Sequence, residues 1–213
     1  MSNQSVIAIT ADSDDDGRLY SDLVSRCGGL PLLITPDSIE RHDQLGIVGG
    51  LLIGNAPTDF QQSTSLVLRD TMSRLLPTVF EFDLPIIAVG DGMQSLNIAM
   101  GGQEPVPVSD HEGDEDASTR HHIYVAPGSK LASIVGAGGF VRVNSLHRKG
   151  IRDAQRSPKL MTAAYAVEDG TIEAVESPDY SLVIGVQFRP DRPHEVPPNF
   201  DNLFHLLVER AGR

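Results

Sequence analysis

A single cysteine, Cys27, stands among 213 residues. One thiol cannot close an internal disulfide, so no disulfide framework supports this fold. Basic residues are scarce as well: 17 Lys and Arg face 29 Asp and Glu, a formal charge of −12. Nucleic-acid backbones and anionic membrane surfaces both demand a basic face, so neither is expected as a partner. No apolar run approaches the roughly 18 residues that a membrane helix needs. The opening Met1-Ser2-Asn3-Gln4-Ser5 has neither the basic nor the apolar region of a targeting signal. Internal repeats and linkers are missing too. What is present is globular composition, 40% hydrophobic and 22% charged, in a chain long enough to bury a core without staples. The expectation is one cytoplasmic domain over residues 1–213 that handles a small molecule.

Short apolar runs alternate with longer amphipathic ones. Continuous β-branched or aliphatic runs at 6–10, 30–34, 50–53 and 85–89 read as strands buried on both faces. Helical spacing predicts helices over 18–27, 37–45, 61–77 and 93–100, with Gly28-Gly29 ending the first. This rhythm implies a mostly parallel sheet covered on both sides. The second half changes character. Shorter strands are expected at 122–126, 140–143, 161–167, 172–176 and 182–186, as antiparallel ribbons that feed one return strand into the main sheet. A helix over 199–210 closes the pattern.

Two polar stretches raise the question of metal. Asp12-Ser13-Asp14-Asp15-Asp16-Gly17 lacks the twelfth-position Glu of an EF-hand and reads as a solvated loop. Residues 103–121 are acidic and read as a long loop or lid. Its Asp110-His111-Glu112-Gly113-Asp114-Glu115-Asp116 run, with His121-His122, lacks a compact ligand spacing. A solvated lid is the simpler reading, and neither a metal site nor a cofactor is expected.

The sharpest local signal is Ala88-Val89-Gly90-Asp91-Gly92-Met93-Gln94. A buried strand running through a tight glycine turn into a helix has the geometry of a nucleophile elbow, where the apical residue meets a helix N-terminus that favours negative charge. The longer segment Pro85-Ile86-Ile87-Ala88-Val89-Gly90-Asp91-Gly92-Met93-Gln94-Ser95-Leu96-Asn97-Ile98-Ala99-Met100-Gly101-Gly102 resembles the elbow of class I glutamine amidotransferase-like proteins. It is most similar to the gamma-glutamyl-gamma-aminobutyrate hydrolase branch, P-I-L-G-I-C-R-G-M-Q-L-L-N-V-A-L-G-G. Four further stretches agree in order. Ala126-Pro127-Gly128-Ser129-Lys130-Leu131 is similar to P-G-S-x-L, and Val143-Asn144-Ser145-Leu146-His147 to V-N-S-x-H. Asp169-Gly170-Thr171-Ile172-Glu173-Ala174-Val175-Glu176 is similar to D-G-x-I-E-A-I-E, and Gly185-Val186-Gln187-Phe188-Arg189-Pro190-Asp191 stands where the family has G-V-Q-W-H-P-E.

The resemblance implies a flavodoxin-like three-layer α/β/α sandwich. It also implies chemistry that these residues do not carry. The family hydrolyses gamma-glutamyl amides with a Cys nucleophile, a His base and a Glu that orients the His. Gly90 stands at the Cys position, Arg189 at the His position and Asp191 at the Glu position. Glycine has no side chain, and a guanidinium stays protonated. The family's oxyanion strand L-P-G-G-P reads Ile53-Gly54-Asn55-Ala56-Pro57. The expectation is a protein without the covalent chemistry, whose pocket is formed by Asn55, Ala56, Asp91, Gly92, Met93, Gln94, Asn144, Ser145, His147 and Gln187. It would take a small gamma-glutamyl-like or anionic ligand, or a partner: a second copy, an active relative or a synthetase. The alternatives are hydrolysis through Asp91 or water, helped by His147, and a non-catalytic subunit of a mixed oligomer. Asp91 is expected to cap the helix after the turn, Cys27 to pack under the sheet, and Arg189 to pair with Asp191 or Asp91 or to anchor an anion.

Overall fold

The structure is a computed structural model that describes residues 4–11, 14–35, 47–54, 66–113 and 118–212. Strands and helices alternate through the first half: β1 (Val6–Thr10), α1 (Asp14–Arg26), β2 (Leu30–Ile34), β3 (Val48–Ile53), α2 (Leu66–Glu81), β4 (Ile86–Val89) and α3 (Asp91–Ala99). The second half carries β5 (Val106–Pro107), β6 (Thr119–Val125), α4 (Lys130–Val135), β7 (Gly139–Ser145), β8 (Lys149–Gly150), β9 (Met161–Ala166), β10 (Ile172–Glu176) and β11 (Val183–Val186). A 3-10 turn at Pro198–Asp201 leads into α5 (Asn202–Ala211).

Nine strands form one sheet in the order β2-β1-β3-β4-β11-β10-β9-β6-β7. The first five are mutually parallel, and β11 returns beside β4 as expected. The remaining four run antiparallel. Alternate residues of the parallel strands reach opposite faces. Ile7, Ile9, Leu52, Ile87 and Val89 pack with Leu23 and Val24 of α1 and Leu203 and Leu207 of α5. Ala8, Leu51, Ile53, Ile86 and Ala88 pack with Met72 and Leu75 of α2 and Met93 and Leu96 of α3. A strand buried on both sides has no polar face to show, which is why these strands read as unbroken apolar runs. No helix among the described residues is long and apolar enough to cross a membrane.

Several boundaries differ from the sequence expectation. Helix α1 starts at Asp14, inside the stretch read as a loop. Acidic residues are favoured in a helix's first turn, so the aspartates are compatible with helix there. Helix α2 runs through Pro77 to Glu81 instead of stopping at 77. Proline removes one hydrogen bond, but Leu76 and Val79 on either side of it are buried, and their packing carries the helix on. Helix α4 was not foreseen; six residues give too little periodicity. Its signal is local: the Ser129 hydroxyl accepts from the Ala132 N–H at 3.0 Å, and Gly136 ends it at φ 80°. The expected helix over 37–45 and the expected start of α2 at 61 lie outside the described residues.

Candidate functional site

The elbow is built as its sequence implies. Gly90 follows β4 with φ 59° and ψ −122°, a region that glycine occupies cheaply. Its N–H donates to the Val186 carbonyl at 2.8 Å, and its own carbonyl accepts from the Met93 N–H at 3.0 Å. The turn therefore stands at the carboxyl ends of two parallel strands, where α/β sheets place their ligand crevices. Helix α3 also comes very close to the end of β3. A Cβ on Gly92 would lie 2.4 Å from the Ile53 carbonyl oxygen and 2.8 Å from that of Gly54. Met93 is buried behind the turn; a Cβ on Gly185 of β11 would meet its Cγ at 2.6 Å.

Asp91 does not cap α3. The N-cap is Gly90, without a side-chain cap bond, and Asp91 is the first helical residue. The tight turn ends one residue earlier than a capping aspartate would require. Ser95 turns back on its own helix and donates to the Asp91 carbonyl at 3.0 Å. Cys27 is partly buried against the core, and burial, then Asp201, pushes its thiol pKa up, so it is a packing residue.

Arg189 and Asp191 close on each other. Arg189 Nε donates to Asp191 Oδ1 at 2.9 Å and Nη2 to Oδ2 at 2.6 Å, a bidentate pair with relative exposures of only 8% and 3%. Burial disfavours the guanidinium charge, but Tyr20, Asp191 and Asp91 more than offset it and raise its pKa further. Asn144, fully buried, holds the backbone beneath. Its Oδ1 accepts from the Arg189 N–H at 2.8 Å, while its Nδ2 donates to the Arg189 carbonyl at 3.0 Å and to Glu195 Oε2 at 2.9 Å. Asn144, expected as a pocket residue, is thus a clamp on the segment that carries the ion pair.

The other expected pocket residues lead away from the elbow into a second cluster. Gln94 Nε2 donates to Gln187 Oε1 at 3.0 Å and to the Lys149 carbonyl at 2.8 Å. The Lys149 carbonyl also lies 3.0 Å from His147 Nδ1. Behind His147 sits Glu173 of β10, 0% exposed, with three imidazoles around one oxygen. Glu173 Oε1 is 3.4 Å from His111 Nδ1, 3.3 Å from His121 Nε2 and 3.4 Å from His147 Nε2. Burial works against its charge, yet His121 and His147 outweigh burial and bring its pKa to about 2. Burial lowers the pKa of His111; for His121 burial is outweighed by Glu173, and its pKa is raised. Ser145 donates to the His111 carbonyl at 2.8 Å and anchors that loop.

The reading of 103–121 as a solvated lid is corrected for its histidines only: Glu104, Asp110 and Glu112 are exposed, and Asp114, Glu115 and Asp116 lie outside the described residues. His111 and His121 are buried, at 4% and 9% exposure, and only His122 faces solvent. The loop is tied down because β5 pairs with β8 and the His147 N–H donates to the His111 carbonyl at 3.0 Å. Glu173 had a visible signal, a carboxylate among Ile172, Ala174 and Val175 in a strand too apolar for it. Asn55 and Ala56 lie outside the described residues.

Comparison with known proteins agrees with this scaffold. Residues 9–191 match the family described as Peptidase C26. The chain is 26% identical over 199 residues to the gamma-glutamyl-gamma-aminobutyrate hydrolase of Escherichia coli, covering 81% of this chain and 76% of that one. Among solved structures, the acivicin-bound glutaminase domain of Trypanosoma brucei CTPS superimposes with a TM-score of 0.69 at 15% identity, over 96% of this chain and 94% of that one. A glutamine amido transferase from Methylobacillus flagellatus does so with a TM-score of 0.66 at 16% identity, over 87% of this chain and 70% of that one. The fold is that of the flavodoxin-like amidotransferase domains, and with 9–191 matched the chain belongs to the Peptidase C26, class I glutamine amidotransferase-like family.

Proposed function

We propose that this chain is a cytoplasmic, non-hydrolytic member of its family that binds a small gamma-glutamyl-like or anionic ligand. The observation that carries the reading is the Arg189–Asp191 pair beside an elbow whose apex is glycine. Amide hydrolysis in this frame needs a nucleophile at the apex and a base within hydrogen-bond reach of it. Gly90 offers no nucleophile. Arg189 offers no lone pair, and its charge is already matched by Asp191. The N-terminus of α3 still favours a bound anion near the turn, with Asp91 setting a limit on how much negative charge fits there.

The test is a direct assay. The wild-type chain at high concentration is incubated with L-glutamine and with gamma-glutamyl-aminobutyrate while ammonia and free glutamate are followed. Losing a nucleophile and its base removes on the order of a million-fold in rate, so no release above background is expected. Gly90→Cys with Arg189→His is expected to recover little, because Asp191 is one methylene shorter than the family's Glu. Ready cleavage by the unmodified chain would show the centre to be elsewhere. A thermal-shift series with glutamate and gamma-glutamyl amines tests the binding role, and a rise in Tm with at least one of them is expected.

A further inference from the structure

The cluster around Glu173 is unlike the ion pair beside it, because its protons do not add up. His147 Nδ1 faces the Lys149 carbonyl at 3.0 Å, and a carbonyl can only accept, so this nitrogen carries the proton. Its Nε2 points at Glu173 Oε1 from 3.4 Å, and a neutral ring would set a bare lone pair there. His111 repeats the arrangement. Its Nε2 lies 3.4 Å from the Asp169 carboxylate, which calls for a proton there and leaves the Nδ1 lone pair facing the same Oε1 at 3.4 Å. Protonating Nδ1 instead, toward Ser145 Oγ at 3.3 Å, would set a bare Nε2 against Asp169. With neutral rings, acceptors would converge on an acceptor inside the protein. Both oxygens of Glu173, both ring nitrogens of His121 and Nε2 of His147 lack a hydrogen-bond partner among the described residues.

Protonating all three rings does not resolve this. His111 packs against His121 and against His147 with ring centroids 4.6 Å apart in both cases, and three buried imidazolium charges at that spacing would face only Glu173 and the partly exposed Asp169. A single cation among the nitrogens does resolve it. Donor atoms of His111, His121 and Glu173 lie within 4.8 Å of one another. Ligands about 2.0–2.1 Å from a tetrahedral Zn²⁺ stand about 3.3–3.4 Å apart. The three nitrogen-to-Oε1 separations, 3.3 to 3.4 Å, have that length. The outward nitrogens meet the acceptors that hold metal-ligating histidines in place: a carboxylate for His111 and a backbone carbonyl for His147.

We infer that His111, His121 and Glu173 form a site for one divalent transition-metal ion, which His147, 3.4 Å from Glu173 Oε1 but outside the set of mutually close donors, completes as the fourth donor by a small shift of its ring. Nitrogen and carboxylate donors suit zinc and its neighbours better than calcium or magnesium. Burial on every side leaves no open coordination position, so the ion is structural. It joins the loop after β5, β6, the turn between β7 and β8, and β10. The site uses none of the elbow residues and stands whether or not the chain hydrolyses amides.

The experiment uses the full chain, stripped with chelator and titrated with Zn²⁺ by calorimetry, with Co²⁺ as the spectroscopic probe. One equivalent per chain is expected, with the strong visible bands of four-coordinate Co²⁺ and a Tm that rises with added Zn²⁺. Glu173→Gln and His121→Ala should abolish stoichiometric binding, and Asp169→Asn should weaken it about 10–100-fold through His111. His205→Ala, an exposed histidine on α5 outside the cluster, should bind like wild type. Should the cluster variants fail to fold, the wild-type Co²⁺ spectrum and Asp169→Asn still decide. Substoichiometric binding by wild type, or an unchanged Co²⁺ spectrum in a folded Glu173→Gln, would overturn the site and leave a metal-free histidine–carboxylate cluster.

Discussion

The Arg189–Asp191 pair and the Glu173 cluster are near neighbours: the Gln187 N–H, two residues before Arg189, donates to the Glu173 carbonyl at 2.8 Å. Both bury charge, and they balance it differently. In the first, two of the guanidinium nitrogens meet the two carboxylate oxygens in a bidentate fork, and the backbone of Arg189 is clamped by Asn144. Nothing is missing. In the second, one carboxylate collects three imidazoles at distances too long for good hydrogen bonds, and five buried polar atoms go unmatched. A satisfied cluster occupies space and resists change. An unsatisfied one leaves buried polar groups whose partners have to be accounted for. The charge of Arg189 beside the elbow is matched within the protein, whereas the polar atoms around Glu173 on β10 are not.

The largest expected effect breaks the closed cluster. Asp191→Ala strands a buried guanidinium and should cost about 3–5 kcal/mol in urea unfolding. Replacing both partners by apolar groups, Arg189→Met with Asp191→Leu, should return to within about 1 kcal/mol of wild type, because a well-packed apolar pair often equals a buried ion pair. A loss below 1 kcal/mol in the single variant would mean that the pair is wet, and the contrast with the Glu173 cluster would fall. Next is the frame beneath the turn. Gly92→Ala must push a Cβ into the backbone oxygen of Ile53, which cannot rotate away, so a cost of about 1–3 kcal/mol is expected. Wild-type stability in that variant would show that α3 slides freely past β3 and that the elbow is loosely held.

The two clusters also differ in how they stood in the sequence. Arg189 and Asp191 are two residues apart, in a stretch fixed by Gly185-Val186-Gln187, so their pairing stood among the options readable from the chain, beside Asp91 and an anion. The parallel strands were readable for a similar reason, since each is a contiguous apolar run. The histidine cluster has no such local form. Its members come from four segments that meet only through the antiparallel register of β6 with β7 and β9, of β9 with β10, and through the β5–β8 ribbon. Spacing rules for metal sites look for ligands a few residues apart, and here the register of the sheet brings the distant ones together. The same limit hid α4, whose cap is local but whose packing partners are distant. The passage of α2 through Pro77 was hidden too, because the burial of Leu76 and Val79 outweighs a local rule.

The smallest effect concerns the outermost partner of the closed cluster. Glu195 accepts from the Ser118 hydroxyl at 2.6 Å and from Asn144 Nδ2 at 2.9 Å, and it faces Arg192 at 3.5 Å. Partial burial pushes its pKa up, but Ser118, Asn144 and Arg192 outweigh burial, and the folded-state pKa lies below the ordinary glutamate value. The sign follows from linkage. A carboxylate whose folded pKa is depressed contributes stability above its unfolded pKa of about 4.3 and loses it as pH falls through the folded value. Because the side chain is partly exposed, solvent screens it, and a contribution of about 1 kcal/mol or less is expected at neutral pH. Glu195→Gln keeps an acceptor for Ser118 and Asn144 but removes the ionisation. Its stability should fall slightly short of wild type at pH 7, and the gap should close as both are titrated through the acid range. Urea midpoints measured at intervals from pH 7 to pH 3 read this directly. A gap that persists unchanged to pH 3 would mean that Glu195 acts by shape alone, and that the charge balance of the closed cluster ends at Arg189 and Asp191.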